Sequence, residues 1–197
     1  NYGDSGFYSR FGLIVYIFTL GVDSVDEGLR MVNLGKKARQ YRDLAYHDQL
    51  TGAMSRSAYE ESLDRIEKEG ENVFLMAIDI NNLKKINDTK GHEAGDEYLK
   101  SNIDYIMSTF HSVGNCYRIG GDEFVVVCKK EADFKKCQEQ IDTRLANPDE
   151  KVDFSYGYAV YNKETSQSIR EAVSIADKKL YECKRRMKEK QYESGTN

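Results

Sequence analysis

The sequence predicts an α+β fold, in which helices pack on a largely antiparallel sheet and a separate helical segment precedes them. Three observations predict this class. The unbroken apolar run Val73–Ile78 is typical of a strand that is buried on both faces. Two further apolar runs are joined by a short turn with Gly120 and Gly121, as in a β-hairpin. The order of elements, β-α-α-β-β-α-β and then a last helix, favours helices packed against such a sheet.

The composition excludes several classes of protein. The chain has 197 residues, 40% of them apolar, and 29 basic against 33 acidic side chains leave a net charge of −4. These values exclude wholesale disorder and a nucleic-acid partner held by bulk positive charge. The four cysteines are too widely spaced for a CxxC metal knuckle: Cys116, Cys128, Cys137 and Cys183. We therefore expect reduced thiols and a cytoplasmic domain.

Residues 1–46 are interpreted as a separate helical segment. Its apolar stretch, Phe11–Val22, is shorter than the ~20 residues that span a bilayer. Helical spacing continues through Val25, Leu29 and Val32 and then shifts register. Because the segment cannot bury these residues by itself, they must pack on the chain's own domain or on a partner. We expect a dimerising signalling helix, attached to a membrane through a region upstream of residue 11.

The first half of the domain contains a helix, a strand, a turn and a second helix. Ser57 and Glu60 have the spacing of a capping box, which predicts the start of the first helix. One apolar face of that helix follows: Tyr59, Leu63 and Ile66. After the strand Val73–Ile78 we expect a polar, lysine-rich turn. The next helix is predicted from one apolar side: Ala94, Tyr98, Leu99, Ile103, Ile106, Met107 and Phe110.

The second half begins with the hairpin, whose predicted strands are Cys116–Ile119 and Phe124–Cys128. A helix covers about 131–146, with Pro148 in the loop after it. A half-buried strand is predicted from alternating residues: Phe154, Tyr156, Tyr158 and Val160. The last helix turns an apolar side inward: Ile169, Ala172, Val173, Ala176, Leu180, Cys183 and Met187. We expect a flexible tail over 191–197.

Carboxylates at two predicted turns suggest a metal site. Asp79 ends the buried strand, and Asp122 lies in the glycine-rich hairpin beside Glu123. Magnesium favours a few hard oxygen ligands and leaves positions for phosphates, and the glycines leave room for a phosphate to approach. Taken singly, each carboxylate has an ordinary alternative as a turn or surface residue. The combination indicates a Mg²⁺ site.

Polar residues after this strand suggest a bound nucleotide. Lys84 and Lys85 could neutralise phosphate charge, although a solvated pair is the usual fate of lysine. Asn87 and Asp96 offer hydrogen-bonding edges to a base, and a carboxylate suits the paired N–H donors of guanine. The alternative is that both residues occupy ordinary positions in a turn and a first helical turn. In the last helix, basic residues four apart share one face. Such a run is usually a solvated face or a complement to the helix C-terminus, but two of its residues could reach a polyphosphate: Lys184 and Lys188.

Five short sequence motifs follow one another along the chain: Asp48-Gln-Leu-Thr-Gly52, Asp79-Ile-Asn-Asn-Leu-Lys-Lys-Ile-Asn-Asp88, Gly91-His-Glu-Ala-Gly-Asp96, Arg118-Ile-Gly-Gly-Asp-Glu-Phe124 and Ala176-Asp-Lys-Lys-Leu-Tyr-Glu-Cys-Lys184. Together they resemble the GGDEF family of diguanylate cyclases over about residues 47–190. The resemblance implies a palm-like, ferredoxin-like nucleotide-cyclase fold. It also implies condensation of two GTP into cyclic di-GMP and two pyrophosphates, across a homodimer of facing domains.

The resemblance also assigns roles to residues. Metal, Mg²⁺ or alternatively Mn²⁺, is held by Asp79, Asp122 and the carbonyl of Ile80, and Glu123 assists. Asp122 is the proton acceptor for the attacking 3′-hydroxyl. Lys84 matches the lysine that stabilises the transition state. The positions that match substrate contacts are Asn87, His92, Asp96 and Lys184, with Lys188 as a weaker stand-in for an arginine.

Some positions depart from the family pattern. Asn81 stands where a second Asp is usual, Leu83 where Phe is common, and Ser55 where Asn is usual. The common Gly-Arg-Asn ending is here Met187-Lys188-Glu189. The inhibitory Arg-x-x-Asp site is replaced by His111-Ser-Val-Gly114, so we expect no product inhibition through that site.

Two other functions remain open. The altered ending allows a regulatory module that binds GTP or a cyclic dinucleotide without turnover. A cyclase with relaxed base choice could make a mixed dinucleotide, although Asp96 favours guanine.

Overall fold

The computed structural model describes residues 12, 16, 18, 20–22, 24–36, 45–147, 152–165 and 168–194, with only the backbone at 188 and 190–194. The chain divides into two compact units, Asn1–Leu44 and Ala45–Asn197. Pro148, residues 1–11 and residues 195–197 lie outside the described residues. The loop at Pro148 and membrane attachment upstream of residue 11 therefore stay predictions.

The first unit is helical at every described residue between 12 and 36. Large apolar side chains along this helix are exposed: Tyr16, Phe18, Leu20, Val22, Val25, Leu29, Met31, Val32 and Leu34. The predicted helical segment is thus present where the structure describes it, and it exposes the apolar side chains that need a partner. In the part of the chain that the structure covers, no helix has both the length and the hydrophobicity of a membrane span.

The second unit contains four strands and five α-helices among the described residues. The helices are α1 (Arg56–Glu69), α2 (Leu83–Lys90), α3 (His92–Phe110), α4 (Glu131–Leu145) and α5 (Ile169–Ser194), and a 3₁₀ turn spans Lys163–Thr165. The strands are β1 (Val73–Ile80), β2 (Gly114–Arg118), β3 (Glu123–Cys128) and β4 (Phe154–Tyr161). Because α5 runs to Ser194, residues 191–194 of the predicted tail are helical.

The four strands form one antiparallel sheet in the order β2-β3-β1-β4. This order follows from the chain path, because β1 leads through α2 and α3 to the edge strand β2, and the hairpin returns β3 to the side of β1. The last strand, β4, then pairs with the other side of β1. The predicted α+β class and its ferredoxin-like arrangement are confirmed.

Helices cover both faces of the sheet, so the buried strand β1 divides its side chains between two cores. Met76, Ile78 and Ile80 pack towards α3 and α4. Val73 and Leu75 pack towards α1 and α5. An unbroken apolar strand therefore has apolar neighbours on both sides, as its sequence predicted.

Two local predictions in the first half are wrong. Helix α1 begins two residues earlier than the proposed capping box: its N-cap is Ser55, whose hydroxyl accepts a hydrogen bond from the N–H of Ala58. The lysine-rich stretch predicted as a turn is helix α2, which has no fully buried residue. Its weak apolar pattern concealed it, since periodicity is the main sequence signal for a helix.

Strand β4 also differs from the prediction of a half-buried strand. Ser155, Gly157 and Ala159 are buried, whereas Tyr156 and Tyr158 are only partly buried. The small residues face the close packing of α5: a Cβ added to Gly157 would lie 2.2 Å from the backbone N of Leu180. Of the residues predicted to face inward, only Phe154 is fully buried, and the small residues between them are buried as well.

Candidate active site

The end of β1 lies against the hairpin between β2 and β3. Asp79 is opposite Glu123 in the β1–β3 pair and opposite Ser155 in the β1–β4 pair. The N–H of Ile80 donates to the carbonyl of Asp122 at 3.0 Å. The antiparallel register therefore brings the predicted metal residues of two distant sequence motifs to one edge of the sheet.

An arginine fixes the shape of that hairpin. Arg118 donates from Nη2 to the carbonyl of Gly121 at 2.7 Å and from Nε to that of Gly120 at 3.2 Å. Its Nη1 forms an ion pair with Asp48 Oδ1 at 2.8 Å. Because these three groups converge on one guanidinium, the turn that presents Asp122 is tied to the loop at the start of the domain.

Asp48 is itself held in place by Thr51, whose backbone N–H and hydroxyl both donate to it, at 2.9 and 2.7 Å. Partial burial favours a raised pKa for this carboxyl, but the hydrogen bonds from Thr51 and Arg118 outweigh it and lower the pKa of Asp48 below its ordinary value. These hydrogen bonds therefore favour the charged form of the carboxylate, which is the form that pairs with Arg118.

A cavity of about 240 Å³ opens at the end of β1. Its walls include Asp79, Ile80, Lys84, Asp122 and Lys184. A larger cavity of about 490 Å³ lies between α4, β4 and α5, but its lining is mainly apolar. The smaller cavity combines carboxylates and lysines, so it is the candidate site for a metal and a phosphate.

Asp79 concentrates the negative charge of this cavity. It is 7% exposed and forms an ion pair with the Nζ of Lys184 on α5. Burial raises the pKa of Asp79 above its ordinary value, Lys184 opposes that shift, and the nearby carboxylates of Asp122 and Glu123 reinforce it. A buried carboxylate beside two others is stabilised by a cation, and Lys184 supplies that positive charge here.

These groups fit a divalent metal. Two carboxylates and the carbonyl of Ile80 are hard oxygen donors of the kind that Mg²⁺ binds, and such ions commonly complete their shell with water and substrate phosphates. In the described part of the chain, no three His, Cys, Asp or Glu side chains are grouped as a metal site.

Glu123 and Lys188 are placed differently from the other candidates. Glu123 does not line the cavity, and its carboxylate lies over Gly120, where an added Cβ would be 2.5 Å from Oε2. The side chain of Lys188 lies outside the described residues. Both roles remain predictions.

The predicted base-binding residues lie on α2 and α3, beside the cavity lining. The helices are joined by Gly91 alone, which has a φ of 88°, a backbone conformation that glycine adopts readily. Asn87 is partly buried, and its amide lies against Gly95, where an added Cβ would be 1.8 Å from Oδ1. His92 and Asp96 are exposed in the first turns of α3. The sharp turn at Gly91 therefore brings Asn87 next to the residue that precedes Asp96.

Sequence reasoning missed the supporting residues Arg118, Asp48 and Asp153. Asp48 and Arg118 each begin a recognised motif, which was a signal that they have a role. Asp153 carries no such signal, because it lies in none of the recognised motifs.

A model of the family described as "Diguanylate cyclase, GGDEF domain" matches residues 45–190. The chain belongs to this GGDEF family. The resemblance seen in the sequence is thereby confirmed, and the match covers the whole of the sheet and the helices around it.

Curated relatives of this GGDEF protein include diguanylate cyclases. The diguanylate cyclase DgcS of Shewanella oneidensis is 41% identical over 97 residues, which cover 46% of this chain and 33% of DgcS. The diguanylate cyclase DgcZ of Escherichia coli is 37% identical over 93 residues, which cover 46% of this chain and 31% of DgcZ. The matched parts thus span about a third of these two relatives.

A solved structure supports the same fold. The coiled coil and GGDEF domain of DgcB from Caulobacter crescentus, solved in complex with c-di-GMP, matches with a TM-score of 0.73 and 25% identity. The match covers 84% of this chain and 94% of that one.

Proposed function

We propose that this GGDEF protein is a diguanylate cyclase that condenses two GTP molecules into cyclic di-GMP and releases two pyrophosphates. The observation that carries the proposal is the cavity where Asp79 and Asp122, from different sequence motifs, lie together with Lys84 and Lys184. Carboxylates alone would repel a triphosphate, whereas carboxylates with a divalent cation and two lysines attract one. The activities named for DgcS and DgcZ support the same reaction.

The metal of the proposed site is Mg²⁺, or alternatively Mn²⁺, held by Asp79, Asp122 and the carbonyl of Ile80. When bound, the ion polarises the α-phosphate and lowers the pKa of the attacking hydroxyl. Glu123 lies at the edge of this set and is proposed to assist it through charge rather than by direct contact.

The remaining groups bind the substrate and move the proton. Lys84 and Lys184 contact the phosphates and stabilise negative charge as it develops on them. Asn87 and Asp96 contact guanine, with His92 beside them. Asp122 accepts the proton of the 3′-hydroxyl of one GTP, and the 3′-oxygen forms a bond to the α-phosphorus of the other GTP. The bond from that phosphorus to the bridging oxygen breaks, and pyrophosphate leaves.

One copy of the domain cannot complete the product, because each of the two bonds joins the hydroxyl of one GTP to the phosphorus of another. We infer that two copies face each other, each with one GTP, so that proximity replaces a collision of free nucleotides. The exposed apolar helix of the first unit is proposed to bring the two copies together. Lys188 is proposed to contact a phosphate.

The first test is product analysis with purified protein, Mg²⁺, GTP and ATP together. We expect cyclic di-GMP as the only dinucleotide product, and no product after chelation of the metal. Asp122→Ala should lower the rate at least a hundredfold, because it removes both a ligand and the proton acceptor. Asp104→Ala, at an exposed position on α3, is the control and should keep the wild-type rate.

The same measurement separates the alternatives. The ion pair between Asp79 and Lys184 occupies a predicted metal ligand, which is the observation in favour of a regulatory module without turnover. That function would give bound GTP but no product at high protein concentration. A mixed dinucleotide in the presence of ATP would instead show relaxed base choice.

A further inference from the structure

The turn between β1 and α2 consists of Asn81 and Asn82, and it determines where α2 begins. Asn82 has a φ of 59°, and it is the one non-glycine residue with positive φ in the described part of the chain. Its side chain makes no capping hydrogen bond to α2. A left-handed asparagine costs some energy, so another contact must hold the turn in this shape.

That contact comes from Asp153, directly before β4. The amide of Asn81 donates to Asp153 Oδ1 at 2.7 Å, and the amide of Asn82 donates to Oδ2 at 2.8 Å. The backbone N–H of Asn81 also donates to the carbonyl of Asp153 at 3.0 Å. One carboxylate therefore holds both residues of the turn, with one oxygen for each amide.

Asp153 is anchored in turn to the core. Its N–H donates to Oδ1 of Asn102, a fully buried residue of α3, at 2.8 Å. The amide of Asn102 donates to the carbonyl of Tyr98 at 2.9 Å, and the Tyr98 hydroxyl donates to the carbonyl of Asn81 at 3.2 Å. These hydrogen bonds form a closed cycle from Asp153 through Asn102 and Tyr98 to Asn81 and back to Asp153. The position of Asp153 is therefore fixed by contacts to the buried side of α3.

The hydrogen bonds also fix the orientation of the Asn81 amide. The hydroxyl of Ser155 donates to Asn81 Oδ1 at 2.9 Å, which leaves the Asn81 Nδ2 to face Asp153. An aspartate at position 81, the residue usual in the family, would place a second carboxylate against that of Asp153. The carboxylate of Asp153 thus explains why an asparagine occupies position 81.

We infer that Asp153 is a positioning residue for the phosphate-binding turn. By holding Asn81 and Asn82, Asp153 fixes the position of the Ile80 carbonyl and of the first turn of α2. Lys84 lies in that turn, so its position relative to Asp79 is fixed as well. The inference rests on the proposed cyclase function for its effect on rate. The carboxylate–amide arrangement itself is independent of that function.

The test exchanges the two groups. Asn81→Asp alone sets two carboxylates against each other, and we expect kcat to fall at least tenfold while KM for GTP changes less than threefold, because Asn87 and Asp96 are untouched. Asp153→Asn alone presents an amide donor to one of the two asparagine amides, and kcat should fall several-fold. The double variant, Asn81→Asp with Asp153→Asn, restores a donor facing an acceptor at both contacts and should return kcat to within threefold of wild type.

Asn115→Asp, at an exposed position on β2, adds the same charge elsewhere and should leave kcat unchanged. A double variant no better than Asn81→Asp, or an Asn81→Asp variant as active as wild type, would overturn the inference. Should Asn81→Asp fail to fold, Asp153→Ala replaces it, with Asn82→Gly added as rescue. Glycine adopts the left-handed conformation without a clamp, so an absence of rescue would also count against the role of Asp153.

Hydrogen exchange separates this inference from the proposed function. Amides of residues 81–84 should exchange faster in Asn81→Asp than in wild type and return to the wild-type rate in the exchanged double variant. Unchanged exchange overturns the inference whether or not the wild-type protein makes cyclic di-GMP. A wild-type protein without product contradicts the cyclase function alone.

Discussion

At Asp79 the need for a cation follows from charge. The carboxylate is nearly buried and has Asp122 and Glu123 as neighbours, and a buried charge without a partner costs several kcal/mol. Lys184 meets this need in the structure. On the proposed function, a divalent cation held by Asp79 would supply this charge instead, and Lys184 would then be available to the phosphates.

The side chain of Asn87 occupies its position because Gly95 has no side chain there. An added Cβ would meet Asn87 Oδ1 at 1.8 Å, so Gly95→Ala should displace the amide and raise KM for GTP about tenfold, or ~1.4 kcal/mol. The same substitution ordinarily stabilises a helix by about 1 kcal/mol, so thermal stability should not fall. Steady-state kinetics and thermal melting measure the two effects.

The control for this prediction is a double-mutant cycle with Asn87→Ala. If Gly95 acts only by leaving room for Asn87, then Gly95→Ala should change KM little once the amide is gone. Equal effects of Gly95→Ala in both backgrounds would show that the glycine acts in another way.

At the scale of single elements, the hairpin of β2 and β3 depends on its link to the loop at Asp48. Asp48→Asn removes the charge from that link, and we expect a loss of about 1 kcal/mol in the free energy of unfolding near pH 7. Because folding lowers the pKa of Asp48, its stabilisation is complete above the ordinary value and is lost as pH falls through the lower folded-state value. The difference between wild type and variant should therefore disappear only below about pH 4.

Urea denaturation at several pH values measures that difference. Asp104→Asn, at an exposed site on α3, is the control and should stay within about 0.5 kcal/mol of wild type at every pH. A gap that persists unchanged to low pH would contradict the role assigned to the charge of Asp48.

The sequence could predict those elements whose own residues carry a strong pattern. Strand β1 was found because Val73–Ile78 is an unbroken apolar run, and the buried face of α3 was found because every third or fourth residue is apolar. Helix α2 was missed because it is short and has no buried residue, so its conformation depends on the turn at Asn82 and on Gly91. The N-cap was misplaced by two residues because Ser55 and Ser57 both suit a cap, and only the packed structure selects between them.

The residues of the site also differ in whether a local sequence pattern could reveal them. Four residues at the cavity were predictable because they belong to motifs with a recognisable spacing: Asp79, Asp122, Lys84 and Lys184. Asp153 was not, because its role depends on contacts to residues more than seventy positions earlier in the chain. Such a partner has no local pattern, and the unusual Asn81 was its one trace in the sequence.

At the scale of the whole molecule, the first unit exposes apolar side chains at a spacing of three and four residues: Phe18, Val22, Val25, Leu29 and Val32. This spacing forms one stripe along a helix, as in a coiled coil. A stripe of this kind is stable in water when a second helix covers it, and the proposed reaction needs a second copy. On the proposed function, one dimer would meet both requirements.

Substitution of one residue in that stripe tests the dimer. Leu29→Lys places a charge within the stripe, so the protein concentration for half-maximal specific activity should rise at least tenfold, and sedimentation should show more monomer. Met31→Lys is the matched control, because Met31 is at least as exposed as Leu29, 69% against 58%, but lies about 200° around the helix from it. It should behave as wild type. Equal effects of the two lysines would show that the stripe does not hold the copies together, whereas a selective loss in Leu29→Lys, reversed at high protein concentration, ties activity to pairing through this helix.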